Sequence, residues 1–490
     1  MPLLRSGIRN MLAIGHVAHD RARIWICVER PGPYELNWWP SDANRPKSST
    51  HLLAIDDDAT DNTTTCVLPG LRSDTEYGIE LRDSFGVRIA HGRFRTSPAS
   101  WMEKTGEPFS IAVMSCYQPF RADGTVDPMS ERMLECAHAA MKANNTRLAL
   151  LLGDQLYSDA PSADSLFADD SIFSLERDAV RALYQRRYRR FWNVPAWKRI
   201  QAEWPCYPIP DDHDVIDNFG SSPDHGSRKW QHVRDGALAA FCDYQASRMG
   251  SEPRDMADGY HFEFDHGPVA GFAMDLRSCR QVGTNGSNHL ISAHQLEDLE
   301  RCLERHGDKP VFVLGMSLPL HHVPRPISWL GGLLTSRGDD FTDRLSHPYW
   351  KHDRERIVET LVRHRLARPK QRFVIVSGDI HIGAVMKLEI RSRGVVLDQL
   401  ISSPIANHER FLVNFAARLS LIRHSCTIGS GDAATISRVV PAAKPMQNPY
   451  NGLNIGFIEV SGNWSDPEVR LSLYGDRDGS PFCVYRSEPL

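Results

Sequence analysis

No stretch of this sequence approaches the roughly 20 consecutive apolar residues needed to cross a bilayer, so no membrane-spanning helix is expected. The N-terminus, MPLLRSGIRNMLAIGHVAHD, lacks the charged, apolar and cleavage segments of a secretory signal and has no twin-arginine pair. As written the chain reads as cytoplasmic; export would require a start upstream of this one. Cysteine is sparse: ten in 490 residues do not make a disulfide scaffold, and no CxxC pair marks structural zinc. Most read as buried small hydrophobes, Cys116 excepted. Nor is there an excess of positive charge. A formal net charge of -4 gives no global field toward nucleic acid or anionic membranes, and no nucleic-acid module is visible. The local run Arg181 to Arg190 (RALYQRRYRR) reads as a solvated helix face in preference to a phosphate-binding surface. Absent too are the Gly-x-Ser-x-Gly elbow and the His-Glu-x-x-His helix, which leaves serine esterases and zinc peptidases little support.

What is present is ordinary for a globular protein: 41% hydrophobic and 24% charged residues, in a chain long enough for two to four domains. Residues from about 8 to 96 read as short alternating strands. Arg21–Glu29 places Ile24, Ile26 and Val28 on one face and Arg23, Trp25 and Cys27 on the other. Tyr34–Trp39, Thr64–Val67, Tyr77–Leu81 and Val87–Phe94 continue the rhythm between turn residues, which predicts an antiparallel sandwich over residues 1–96. Leu71 to Tyr77 resembles the tyrosine-corner segment of fibronectin type III domains. Residues 97–108 (SPASWMEKTGEP) read as a linker.

From residue 109 the pattern changes. Phe109–Met114, Leu148–Leu152, Val311–Leu314 and Arg372–Val376 are short, nearly continuous apolar runs, as expected of strands buried on both faces. Asp127 and Pro128 form an N-cap and first-turn pair ahead of Met129, Met133, Cys136 and Ala140 at helical spacing. The reading is α/β, with helices covering a layered sheet over residues 109–490. Strands return from about residue 452, at Gly456–Val460 and Val469–Tyr474.

The buried-type strands end in chemistry. FSIAVM runs into Ser115, Cys116 and Tyr117; LALLL into Gly153, Asp154, Gln155, Leu156 and Tyr157. CYPIP runs into Asp211, Asp212, His213 and Asp214, and RFVIV into Ser377, Gly378, Asp379, Ile380 and His381. In open α/β sheets ligands bind outside the carboxyl ends of the strands, so these clusters can converge. Carboxylates, imidazoles, a thiol and a phenol buried together without a cation would repel or stay unsatisfied. Their mixture suits iron, manganese, zinc or calcium. A carboxylate such as Asp154 can bridge two ions at the usual two-metal separation of about 3.5–4 Å. Taken singly each pattern has a plainer reading, such as an Asx turn or an acidic helix start. Together and in this order they point to a metal centre.

The stretches MSCYQP, LLLGDQLYSD, PDDHDVIDN, MDLRSCR, VSGDIHIG and ISSPI, with the tail IEVSGNWSDPEVRLSLYG, resemble the alkaline phosphatase D (PhoD-like) family of calcineurin-type metallophosphoesterases. The resemblance spans nearly the whole chain. It implies two packed sheets flanked by helices, preceded by a fibronectin III-like sandwich. It also implies metal-dependent hydrolysis of phosphodiesters or phosphomonoesters, small or polymeric, by attack of a metal-bound hydroxide. Cys116, Asp154, Tyr157 and His381 would surround a ferric iron. Asp154, Asp212 and Asp379 would hold a second ion, calcium in first place, with zinc or manganese as alternatives. His213 would contact phosphate and assist the leaving group, and Arg277 would grip phosphate oxygens through its planar fork. Arg280 and Asn218 are weaker candidates, an ordinary surface ion pair explaining Arg280 almost as well.

This sequence departs from relatives in three places. Gly315, Met316 and Ser317 stand where many phosphatases carry a histidine, Pro210 where an aromatic is common, and Asp214 where glutamate is usual. His321 and His322 lie just beyond and are not expected to be ligands. GDQLY also matches the Gly-Asp-x-x-Tyr motif of purple acid phosphatases, which makes them the runner-up, although Cys116 and the Asp-x-His pattern at 379–381 argue against them. A second alternative is a non-catalytic β-sandwich binding protein with a degenerate hydrolase domain, which the intact ligand set disfavours. Ile327 to Leu345 reads as an insertion over the catalytic face. Arg410–His424 is amphipathic and basic, with packing against the sheet preferred over peripheral lipid contact. Oligomeric state has no signature in the sequence.

Overall fold

The structure, a computed structural model, describes residues 10–42, 49–55, 58–101, 106–249, 258–283, 286–321, 341–407, 424–426, 435–442, 444 and 446–490. Seven strands come first: β1 (Met11–Val17), β2 (Arg21–Cys27), β3 (Gly32–Pro40), β4 (Ser49–Ile55), β5 (Thr63–Pro69), β6 (Glu76–Arg82) and β7 (Arg88–Arg95). They form two antiparallel sheets, β1-β2-β5 and β4-β3-β6-β7. Alternation along β2 drives the packing, because Ile24, Ile26 and Val28 join Leu36, Ile79, Leu81 and Phe94 in the sandwich core. Trp25 and Cys27, on the other face, do not meet water. They enter the core of the second block, where the Trp25 indole donates to the Asp243 carbonyl at 2.7 Å. The Tyr77 hydroxyl accepts the Arg72 N–H at 2.8 Å, a bond of the tyrosine-corner type.

The second block holds β8 (Phe109–Met114), β9 (Thr146–Leu152), β10 (Cys206–Ile209), β11 (Phe262–His266), β12 (Val269–Ala273), β13 (Val311–Gly315) and β14 (Arg372–Ser377). After these come β15 (Ala384–Ile390), β16 (Val395–Ile401), β17 (His424–Cys426), β18 (Thr435–Val439), β19 (Ile455–Ser461), β20 (Glu468–Arg477) and β21 (Ser480–Arg486). Its helices among the described residues are α1 (Pro128–Ala143), α2 (Arg177–Trp192), α3 (Pro195–Glu203), α4 (Arg228–Tyr244), α5 (Ala293–Arg305) and α6 (Lys351–Ala367). Two mixed sheets result, ordered β10-β9-β8-β19-β20-β21 and β11-β12-β13-β14-β16-β15-β18-β17.

The sheets face each other across a core that draws Ile111, Val113, Leu150 and Leu152 from one and Val313, Val374 and Val376 from the other. Helices α1 to α4 contribute to the core that includes the outward-facing Ala112, Met114, Ala149 and Leu151. Helices α5 and α6 pack with Phe312, Leu314, Phe373 and Ile375 of the other sheet. Each central strand is therefore buried on both sides, which is why its sequence reads as an unbroken apolar run. β8, β9 and β10 are parallel, as are β12, β13, β14 and β16. Their carboxyl ends carry the polar clusters.

Helix α1 starts where the Asp127–Pro128 pair predicts, with the Asp127 carboxylate accepting the Ser130 N–H at 3.4 Å. Met133, Cys136 and Ala140 are buried, but Met129 in the first turn is 43% exposed and lies outside the core stripe. The arginine run on α2 also departs from expectation. Arg181 pairs with Asp243, Arg189 with Asp61 and Arg190 with Asp164, so most of its charge is spent in ion pairs between elements, not solvated. No helix among the described residues is long and apolar enough to cross a membrane. Arg410–Arg423, His322 and most of the Ile327–Leu345 insertion lie outside the described residues.

Candidate metal centre at the strand ends

The backbone itself marks the site. Cys116, Asp154, Asn218, Asp379 and His381 all take left-handed φ values, between 53° and 63°. Such conformations cost a non-glycine residue on the order of 1–3 kcal/mol and collect at functional sites. Here they turn the chain sharply after β8, β9 and β14, so that each side chain points over the strand ends. Two glycines let the turns approach one another. A β-carbon on Gly378 would run into the Ser115 side chain and press on the Leu152 carbonyl at 3.0 Å. One on Gly153, which has φ of 90°, would strike the Asp211 side chain.

Cys116, Asp154 and Tyr157 meet at one carboxylate oxygen. Asp154 Oδ2 lies 3.3 Å from the Cys116 sulfur and 3.2 Å from the Tyr157 hydroxyl. His381 joins through Asn407, whose amide stands 3.2 Å from the Tyr157 hydroxyl and 3.3 Å from His381 Nε2. Asp154, Asp211, Asp212 and Asp379 each place a carboxylate oxygen within 4.8 Å of the others, and Asp154, Asp212 and His213 form an overlapping group. The sequence-based ligands are thus brought together, with Asp211 added. His321 belongs to no such group among the described residues.

The charge balance of this cluster shows what it lacks. Burial pushes the Asp154 and Asp211 carboxyls well above the usual range; Asp212 adds to the push on both, and Arg277 opposes it for Asp211. Burial likewise raises Cys116 and Tyr157, and Asp154 raises both further. Asp154 Oδ1, Asp211 Oδ2 and Asp212 Oδ1 are buried with no hydrogen-bond partner. Three orphaned carboxylate oxygens beside a thiol, a phenol and an imidazole are the donors a pair of cations would satisfy. The residues fit a metal centre.

The surroundings hold these groups in place. Asp214 Oδ2 accepts the backbone N–H of Asp154 at 3.1 Å and of Asp211 at 3.0 Å, while Tyr188 donates to its other oxygen. The aspartate found where glutamate is usual therefore pins two of the site's turns to each other. His213 stacks on Tyr157 at 4.1 Å, and its Nδ1 lies 2.8 Å from the Asp159 carboxylate. Burial alone would lower the His213 pKa, but Asp159 and Asp212 outweigh it and raise it well above the usual value. Arg187, buried on α2, donates to the Tyr157 carbonyl at 2.8 Å and the Asp164 carbonyl at 2.9 Å, fixing the loop after β9.

Arg277, expected to grip phosphate, is committed elsewhere. It is fully buried, and its fork is filled by Asp211 at 2.9 and 2.7 Å, Asp343 at 2.7 and 3.4 Å, and the Phe219 carbonyl at 2.7 Å. All five donors are accounted for. Arg280 is not a surface pair either: it is buried, lies 3.2 Å from Asp343 and stacks over Trp350 at 4.2 Å. Asn218 contributes its backbone, donating to Asp212 Oδ2 at 2.7 Å. Arg344, partly exposed, brings a second guanidinium to the cluster, paired with Asp379. Asp159, Asp211 and Ser403 sat unassigned inside quoted motifs. Asp343 and Arg344 belong to the described end of the Ile327–Leu345 insertion expected over the catalytic face, without an assigned role, and Asn407 carried no sequence signal.

The structure titled "Structure of PhoD" matches with a TM-score of 0.62 at 13% identity, covering 99% of this chain and 94% of that one. A fibronectin type III domain of human collagen alpha-1(XX) matches 20% of this chain and 87% of that domain at 22% identity, with a TM-score of 0.16. No curated protein matches at a significant level. The family model for PhoD-like phosphatases matches residues 111–414, from β8 across every strand end described above, and the chain belongs to that family.

Proposed function

We propose that this phosphatase is a metal-dependent phosphoester hydrolase of calcineurin type, its centre held by Cys116, Asp154, Tyr157, Asp212, Asp379 and His381. The observation that carries the proposal is the set of buried, unpartnered carboxylate oxygens on Asp154, Asp211 and Asp212, gathered where the strands end. Iron suits the Cys116, Asp154, Tyr157 and His381 side of the cluster, where sulfur, phenol and imidazole donors meet. A harder ion such as calcium suits the Asp154, Asp212 and Asp379 side. Bound there, cations supply Lewis acidity and positive charge for the phosphoryl oxygens.

The protein's own groups do the rest. Asp159 holds the His213 ring by Nδ1, and Nε2, 3.6 Å from Asp217, is the atom assigned to protonate the departing oxygen. Arg277 acts as a positioning residue, clamping Asp211 and through it the turn against Gly153. Arg344 is the candidate for contact with phosphate, because it is a partly exposed guanidinium beside the carboxylate cluster, paired with Asp379.

Hydrolysis of bis(p-nitrophenyl) phosphate, and of a monoester in parallel, tests the proposal on protein before and after chelation, with Asp154→Asn as control. Expected are loss with chelator, recovery with iron plus calcium, and no turnover by the variant. Iron-loaded protein is expected to show a visible tyrosinate band that Tyr157→Phe removes. Turnover by Asp154→Asn equal to the parent would refute the assignment.

A further inference from the structure

A second constellation of metal-type donors lies on the other side of the molecule's second sheet. Helix α5 carries Cys302 in its last turn and ends at the C-cap His306, whose backbone N–H donates to the Cys302 carbonyl. The edge strand β11 runs beside that end and turns Glu263 outward toward it. One donor from each of Glu263, Cys302 and His306 lies within 4.8 Å of the other two. Cys302 is 1% exposed, and its sulfur finds only the Gly271 carbonyl at 3.9 Å and a hydrogen bond with Glu263. Glu263 divides its oxygens: Oε1 pairs with Arg305, while Oε2 faces His306 Nε2 at 4.0 Å.

We propose that Glu263, Cys302 and His306 form a second metal site, independent of the catalytic centre, that takes a divalent transition cation, zinc in first place. Thiolate, imidazole and carboxylate are the zinc ligand classes, whereas calcium and magnesium demand shells of oxygen. With zinc–ligand bonds of about 2.0–2.3 Å, tetrahedral donors stand roughly 3.3–3.8 Å apart, so closure asks for movements of about 1 Å. Side-chain rotation of Glu263 and His306 supplies that. Binding exchanges the thiol proton for the cation: the S–H bond breaks, the sulfur keeps the electron pair and donates it to the metal, and the proton leaves to water. No electron changes hands. The thiolate and Glu263 neutralise the dication, and Arg305 stays on Oε1 as the outer partner that orients the carboxylate.

Three protein ligands would leave a fourth position for water or a small anion. Glu263 and His306 line a cleft of about 460 Å³ that is also lined by His16 of β1, Ala18 and His19 of the β1–β2 turn, and Arg21 of β2. A cation held by these residues would border the cleft between the sandwich and the eight-stranded sheet. The plainer arrangement is the Glu263–Arg305 ion pair over an inert cysteine, and a spectroscopic test separates the two.

Cobalt(II) is titrated into full-length Cys116→Ser protein, which removes the thiol of the catalytic centre. The site predicts a saturable near-ultraviolet thiolate-to-cobalt charge-transfer band that is bleached by zinc. The band is expected to vanish in Cys116→Ser/Cys302→Ser, and the cobalt affinity to fall at least tenfold with His306→Ala. Circular dichroism confirms that each variant is folded. A Cys116→Ser protein with no such band, or a band that persists without Cys302, overturns the proposal. Cys302→Ser on the otherwise native chain is expected to keep phosphoester hydrolysis. That readout separates failure here from failure of the catalytic assignment.

Discussion

Replacing Arg277 by methionine is expected to destabilise the protein by about 3–5 kcal/mol, the cost of breaking a buried ion pair from one side. The magnitude follows from what would be left behind. Asp211 and Asp343 are each within 1% of complete burial at the side chain, and Arg277 touches both. Burial alone would raise the Asp343 carboxyl, yet Arg277 and Arg280 hold it far below the carboxylate range. Without the guanidinium, two carboxylates must stay charged with too little compensation or take up protons. Methionine fills the volume but offers no donor, so the loss is electrostatic and not a cavity effect. The assay is urea unfolding at neutral pH, with Arg277→Lys as a milder companion that keeps the charge but not the five-donor fork. Adding Asp343→Asn to Arg277→Met should recover part of the loss, because it removes one of the two stranded charges. A loss below about 1 kcal/mol, with inhibition by inorganic phosphate weakened more than tenfold, would refute the positioning role. It would return Arg277 to the substrate.

Gly378→Ala is expected to cost about 1–3 kcal/mol by overpacking against Ser115 and the Leu152 carbonyl. Because it displaces Asp379, it should also weaken metal binding, read by equilibrium dialysis; unchanged affinity would show that the two sheet ends have slack. His266 gives a pH signature. Burial, with help from Arg147, takes its pKa down to about 3, beside the Ser97 hydroxyl at 3.2 Å. The unfolded chain binds a proton below about pH 6.5 that the folded chain refuses, so stability falls as pH drops from there toward 3, by up to about 1.4 kcal/mol per unit. His266→Gln should remove about one proton's worth of that slope in unfolding measured between pH 7 and 5. An unaltered slope would place the acid sensitivity elsewhere.

The sequence by itself determined the main strands and set out the polar residues at their ends as one candidate group. Continuous apolar runs such as FSIAVM and RFVIV can be stable only as strands covered on both faces, and polar clusters at their ends have nowhere to go but a common edge. That made Cys116, Asp154, Tyr157, Asp212, Asp379 and His381 legible as one group before any coordinates. Alternation along Arg21–Glu29 likewise announced a sandwich, but not that Trp25 and Cys27 on its far face would be buried against α4 and its neighbours. Periodicity reports which residues avoid water, not what they avoid it against.

Only the tertiary structure decided the partners. An arginine in MDLRSCR reads the same whether its fork meets a phosphate or two aspartates, and the choice rests on Asp343, 66 residues away along the chain. The arginines of α2 looked solvated because their partners, Asp61, Asp164 and Asp243, come from three separate elements. Asp214 seemed a loose substitute for glutamate until its carboxylate was seen bonding the backbones of Asp154 and Asp211. Hydrophobic burial is written locally, residue by residue, because each side chain carries its own transfer free energy. Charge pairing is a property of distances between residues far apart in the chain, and those distances exist only once the chain has folded.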